Sequence, residues 1–178
     1  MKKFKLLLLD ANVVIKAFEL GIWQELIERC DIWLASTVIQ EAECSLTGEG
    51  KRYPIELEQY AADKRITEFG IPPSELLAFK DLFDPSYLEK LDDGETESLA
   101  FLINARDPFM ICSADKIVYR ILGNLRRKEQ GISLEEILQQ IGLTCALPRQ
   151  FGKAYRIEWT QKGFEEGLGG IGVKPRDD

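Results

Sequence analysis

Leu6-Leu7-Leu8-Leu9-Asp10-Ala11-Asn12 is the stretch that decides the fold. Four consecutive leucines read as a strand buried on both faces. The run is too short for a signal peptide or a membrane span, and Asp10 closes it. An acid at the carboxyl end of a buried strand lies at the rim, where open α/β sheets bind their ligands. Asp is also a favoured helix N-cap, so Asp10 taken alone allows both readings. It is not alone. Glu41, Glu97 and Asp115 stand in similar places, at the ends of apolar runs.

Working outward, residues 13–20 suit a helix that Gly21 breaks, and residues 22–29 suit a second. Ile32-Trp33-Leu34-Ala35 reads as another buried strand, followed by a helix over 37–46 that carries Glu41. Residues 47–70 are less regular. Arg65 to Phe69 alternate like a strand, paired as a hairpin with residues 52–55. Pro72-Pro73-Ser74 opens a helix to about Phe83, and Pro85 opens a short one. An acidic start at Asp92-Asp93-Gly94-Glu95-Thr96-Glu97 leads into a buried helix. Phe109-Met110-Ile111-Cys112 is a further buried strand, ending in Ser113-Ala114-Asp115 and another helix. Ser133 and Glu136 form a capping box. The tail from Leu147 shows no clean period and reads as an appendage that frays after Gly167. Strands alternating with helices indicate an α/β fold with a mainly parallel sheet.

Composition narrows the chemistry. The 178 residues suit one domain with a sizeable core. Charged residues are 30% of the chain, and 23 basic against 30 acidic residues leave a net charge of -7. That balance does not advertise nucleic-acid binding, although carboxylates holding cations add formal negative charge to a locally positive site. The chain has no histidine, which excludes Ser-His-Asp triads, Cys-His pairs and His-containing zinc sites. Cys30, Cys44, Cys112 and Cys145 form no C-x-x-C pair. In their apolar contexts they read as buried free thiols of a cytoplasmic protein.

Four converging carboxylates repel one another by several kcal/mol unless cations are present, so at least one should have a raised pKa. Carboxylate oxygens are the ligands that Mg²⁺ and Mn²⁺ prefer. The chemistry that uses such a cluster is metal-assisted phosphodiester cleavage.

The fragments Leu-Leu-Leu-Asp10-Ala-Asn12-Val-Val-Ile, Ser36-Thr-Val-Ile-Gln-Glu41-Ala, Gly94-Glu-Thr-Glu97-Ser-Leu-Ala-Phe-Leu and Ile-Cys-Ser113-Ala-Asp115-Lys, taken in order, resemble the PIN-domain ribonucleases. The resemblance covers roughly residues 4–128. It implies a Rossmann-like three-layer α/β/α sandwich, with a PIN-like domain over 1–146 and a partly flexible C-terminal extension over 147–178. It also implies an acidic quartet, Asp10, Glu41, Glu97 and Asp115, that binds Mg²⁺ or Mn²⁺ and cleaves single-stranded RNA. Asn12 and Ser113 match the family's polar support positions. Many small members resemble VapC-type toxins silenced by an antitoxin, and a homodimer is in keeping with the family. After the Asp115 helix the family usually returns a short strand, whereas Lys128 to Ser133 here lead into another helical pattern.

Among the acids of residues 92–97 the choice is open. Asp93 and Glu97 share a helix face, and Glu95 points elsewhere once the helix has formed. Glu97 is preferred, with Asp93 and Glu95 in reserve. Lys116, beside Asp115, has a claim to touch substrate. Arg120, Arg126, Arg127 and Lys128 read as a solvated helix end before a phosphate-binding rim. Two other functions compete. One is a PIN-like protein-binding module with vestigial acids. The other is a haloacid-dehalogenase-type phosphotransferase, disfavoured because that family needs a second Asp where Asn12 stands.

Overall fold

The computed structural model describes residues 3–44 and 55–174. Four strands form one all-parallel sheet in the order β3-β2-β1-β4, flanked by helices as a Rossmann-like three-layer α/β/α sandwich. The leucine run is β1 (Phe4–Leu9), and Leu7, Leu8 and Leu9 are at most 1% exposed. After it come α1 (Ala11–Glu19), α2 (Trp23–Arg29), β2 (Cys30–Ala35) and α3 (Ser36–Cys44). Next are α4 (Leu57–Ala62), β3 (Thr67–Phe69), α5 (Pro73–Asp81), α6 (Pro85–Leu88) and α7 (Asp93–Asn104). The chain closes with β4 (Met110–Cys112), α8 (Lys116–Asn124), α9 (Leu134–Gln140) and α10 (Lys153–Leu168).

The topology fixes where a site belongs. β1 pairs with β2 on one side and β4 on the other, so the chain runs outward from β1 through β2 to β3 and then crosses back past β1 to β4. The carboxyl ends of β1 and β4 flank that switch point, the crevice where such sheets bind ligands. The Asp10 N–H donates to the Cys112 carbonyl at 3.2 Å, extending the β1–β4 ladder to the acid itself.

Three expectations need correction. Residues 67–69 do form a strand, but β3 lies parallel to β2, in register Trp33↔Thr67 to Ala35↔Phe69, instead of in a hairpin. Residues 52–54, part of the expected partner strand, lie outside the described residues, and Ile55 precedes α4. The i, i+3, i+4 spacing of Leu57, Tyr60 and Ala61 is the helical signal of α4.

The tail is also more ordered than its pattern suggested. α10 is a 16-residue helix laid parallel to α8. It shows no apolar period because it buries Thr160 and Gly163, not large side chains. A Cβ at Gly163 would meet the Arg120 carbonyl oxygen at 1.9 Å, and one at Gly123 would meet the Thr160 carbonyl oxygen at 1.9 Å. From Gly167 to Lys174 the chain stays tied: Asn124 donates to the Ile171 carbonyl, and Asp84 N–H to that of Gly172.

Between α8 and α9, where the sequence shows only a lead into another helix, the chain makes one parallel bridge, Ile111↔Gly131, with Ile132 N–H donating to the Ile111 carbonyl at 2.9 Å. Cys30 and Cys112 are buried free thiols, whereas Cys145, in the loop after α9, is only half-buried. The Cys44 side chain lies outside the described residues. Among the described residues no helix is long and apolar enough to cross a membrane.

Candidate functional site

Asp10 is both cap and site. Its Oδ1 accepts from Val13 N–H at 2.7 Å, capping α1. Its Oδ2 accepts from Ser113 Oγ at 2.5 Å and from Ala114 N–H at 3.0 Å, so the turn after β4 holds it. Asp10 is 3% exposed, and burial raises its pKa to about 6 despite those three donors; the Asp92 charge adds to the rise.

Asp115 likewise caps α8, accepting from Ile117 N–H at 2.9 Å. Its own N–H donates to Ser113 Oγ at 2.9 Å. Ser113 therefore links Asp10, Asp115 and a third acid, and that third acid is Glu95. Glu95 is 2% exposed, and its Oε1 lies 3.4 Å from Ser113 Oγ. The single serine proton is committed to Asp10. The longer approach is satisfied when Glu95 carries a proton of its own. Burial, then the charges of Asp92, Asp10 and Asp115, push the Glu95 pKa to about 9.

Glu97 is therefore not part of this group. Its carboxylate faces the other way, accepting from Thr37 Oγ1 at 2.6 Å, Thr37 N–H at 3.4 Å and Ile71 N–H at 3.3 Å. It ties the start of α3 to the turn after β3. Two residues on a helix are about 200° apart, so Glu95 and Glu97 cannot both face Asp10. The signal that separates them was in the sequence. Glu95 lies on one stripe with Leu99 and Leu102, both 0% exposed, whereas Glu97 lies with the half-buried Phe101. Asp92 also forms a capping box with Glu95, which starts the helix there and turns Glu95 inward.

Glu41 reaches the group from α3. Burial raises its pKa, followed by the charges of Asp92, Asp93 and Asp10, while the Gly94 N–H lowers it. Gly94 is what lets α3 approach: a Cβ there would stand 2.8 Å from Val38 Cγ2 and 3.1 Å from Glu41 Oε2. Asp92 and Asp93 sit on the rim, and partial covering of the Asp92 carboxyl, then the Asp115 and Asp93 charges, raise its pKa. Asn12 is exposed in the first turn of α1. The Lys116 ammonium lies 5.0 Å from the Trp159 ring centroid on α10. Of the basic residues after it, Arg120 pairs with Glu166 at 2.8 Å, and Arg127 donates to Gln130 at 2.9 Å.

The donor set suits a divalent cation by type: all oxygen, mutually repelling, and gathered at a switch point. Among the described residues no three of these carboxylates enclose a single point as they stand. Ligation of one ion calls for rotation of the less buried Glu41, Asp92 and Asp115 toward the fixed Asp10. A cavity of about 700 Å³, lined by Ser36, Gln40, Glu58, Lys64 and Glu68 among others, belongs to α3, α4 and β3 and not to the acids. No protein-family model and no curated protein matches the chain.

Proposed function

We propose that the protein is a Mg²⁺- or Mn²⁺-dependent endoribonuclease that hydrolyses phosphodiester bonds of single-stranded RNA. The observation that carries this reading is the crowding of Asp10, Glu41, Asp92, Glu95 and Asp115 at the β1–β4 switch point, with pKa values of about 6 for Asp10 and about 9 for Glu95. The PIN-domain resemblance of the four motifs supports it. So does the lack of any histidine to act as a base. A divalent cation supplies a hydroxide near neutral pH and offsets charge at the scissile phosphate.

The chain's own residues divide the remaining tasks. Asp10, fixed by Val13, Ser113 and Ala114, is the anchoring ligand, and Glu41 and Asp115 complete the set. Glu95 would replace Glu97 in it and would release its proton to solvent on binding a cation. Ser113 orients Asp10. The resemblance extends the proposal to a cytoplasmic toxin restrained by an antitoxin, and to a homodimer.

The test is cleavage of single-stranded RNA with Mn²⁺ or Mg²⁺. EDTA should abolish it, and Asp10→Asn should lower it on the order of 100-fold or more, the scale of metal stabilisation of transition-state charge. Equal cleavage by Asp10→Asn would assign the activity elsewhere. A second reading, favoured by the net charge of -7, is a PIN-like protein-binding module with a vestigial acidic site. A melting temperature unmoved by millimolar Mn²⁺ would select it, because a cation that binds only the native site must stabilise it.

A further inference from the structure

The seam between α8 and α10 presents a second kind of chemistry directly beside the acids. Trp159 gathers two cations, with Lys116 Nζ and Lys162 Nζ each 5.0 Å from its ring centroid. The two ammonium groups are therefore at most twice that distance apart. Tyr155, one turn earlier, sets its ring at 61° to the indole with centroids 6.0 Å apart. Its hydroxyl meets the Lys116 backbone N–H and feels the Asp115 charge, so the cluster borders the acidic group.

We propose that Lys116, Lys162, Trp159 and Tyr155 form a subsite for the backbone of single-stranded RNA, delivering it to the acids at Asp10 and Asp115. This rests on the ribonuclease reading of that site.

Three observations carry it. First, the cations here are held differently from their neighbours. Arg120 and Arg156, on the same two helices, are spent on Glu166 and Glu136. Among the described residues neither Lys116 nor Lys162 closes an ion pair; Lys162 acts on Glu166 only at a distance, and that acid is already bound twice by Arg120. Second, an acidic site needs local positive charge to admit a polyanion, and in a chain of net charge -7 such charge must be concentrated. Third, aromatic rings interleaved with cations are how single strands are held without sequence preference, by stacking and phosphate contacts together.

Binding is measured in EDTA, so that cleavage plays no part. The probe is an end-labelled single-stranded RNA oligonucleotide, followed by fluorescence anisotropy over a salt series. Lys162 is exposed, so Lys162→Gln leaves folding intact; it should weaken binding several-fold and reduce the salt slope by about 1. Trp159→Phe should weaken it less, and Asp10→Asn should not weaken it. Equal affinity and slope for wild type and Lys162→Gln would overturn the subsite, as would no binding by wild type or tighter binding of duplex RNA or an acidic peptide. The two readings fail separately. Binding that depends on Lys162 without metal-dependent cleavage sinks only the ribonuclease. Cleavage with a KM indifferent to Lys162→Gln sinks only the subsite.

Discussion

At the carboxyl end of β1, Asp10 and Glu95 have pKa values pushed up to about 6 and about 9. Around α10, Glu136 and Glu166 are held below the ordinary carboxylate range. Burial raises the pKa in all four cases, so burial does not explain the difference. The partners do. Glu136 takes two bonds from Arg156, at 2.7 and 2.8 Å, and Glu166 takes two from Arg120, at 3.1 and 2.8 Å. Asp10 and Glu95 meet hydroxyl and backbone donors and the like charges of Asp92 and Asp115. The acids of the α8–α10 region are satisfied by the chain itself. Those at the switch point face one another's charge instead of an arginine, and strongly perturbed acids in a crevice make it the candidate functional site.

The largest effect that sharpens this contrast is steric. Replacing glycine by alanine within a helix ordinarily gains about 1 kcal/mol. At Gly163 the new Cβ would collide with the Arg120 backbone, 1.9 Å from its carbonyl oxygen, and no side chain can move aside. Gly163→Ala should therefore lose more than about 3 kcal/mol, at or beyond the upper end of overpacking costs, read as a fall in melting temperature. A neutral or stabilising result would mean that α10 is not seated on α8 and that the subsite at Trp159 is not built.

Next in size is a pH effect confined to the acids. Between the unfolded range near 4.5 and the native value near 9, folded Glu95 keeps a proton that the unfolded chain releases. The native state binds more protons, so stability falls as pH rises through that window. Urea titrations in EDTA should show wild type less stable at pH 8 than at pH 5, by on the order of a few kcal/mol. Glu95→Gln should flatten that slope and blunt the stabilisation by Mn²⁺ at pH 8. Glu97→Gln should leave both intact, because Glu97 serves Thr37 and Ile71. If Glu97→Gln removes the metal response and Glu95→Gln keeps it, the acids are paired the wrong way.

How much of this was legible in the sequence follows from what each residue packs against. The leucine run, the parallel α/β class and the rim positions of Asp10 and Asp115 were readable, because large apolar side chains write their burial into the sequence. Glu41 was readable only through its group, because taken alone it passes for a solvated helix residue beside Glu43. The choice between Glu95 and Glu97 depended on which face of α7 meets the sheet. Leu99 and Leu102 carried that information, but an unbroken apolar run hid the stripe. The α8–α10 seam was illegible for a different reason. Its contact is glycine and threonine against backbone, which leaves no hydrophobic period, and glycines in a tail read as disorder. With α10 unseen, Tyr155 and Trp159 could not be placed beside Lys116.

The smallest expected effect tests the satisfied side of the contrast. Glu136 is bidentate to Arg156, with the two side chains 15% and 14% exposed, and it also closes the capping box with Ser133. Gln can keep the capping bond, so Glu136→Gln isolates the charge. Its native pKa is lowered, so its stabilisation is complete above about pH 5 and disappears as pH falls through the native value. Glu136→Gln should cost about 1–2 kcal/mol at pH 7, the scale of a charge-assisted bond, and much less in acid. Glu158, paired with Arg149 at 2.7 Å but with side chains 50% and 76% exposed, gives the control. There Glu158→Gln should change stability by less than about 0.5 kcal/mol, because solvent screens the pair. Denaturant midpoints at pH 7 and in acid measure both. The slope from Glu136 should have the opposite sign to that from Glu95, one carboxyl stabilised by losing its proton and the other by keeping it. If both variants shift stability with pH in the same direction, partner charge does not distinguish the two regions, and the acids at the switch point lose their claim to be waiting for a cation.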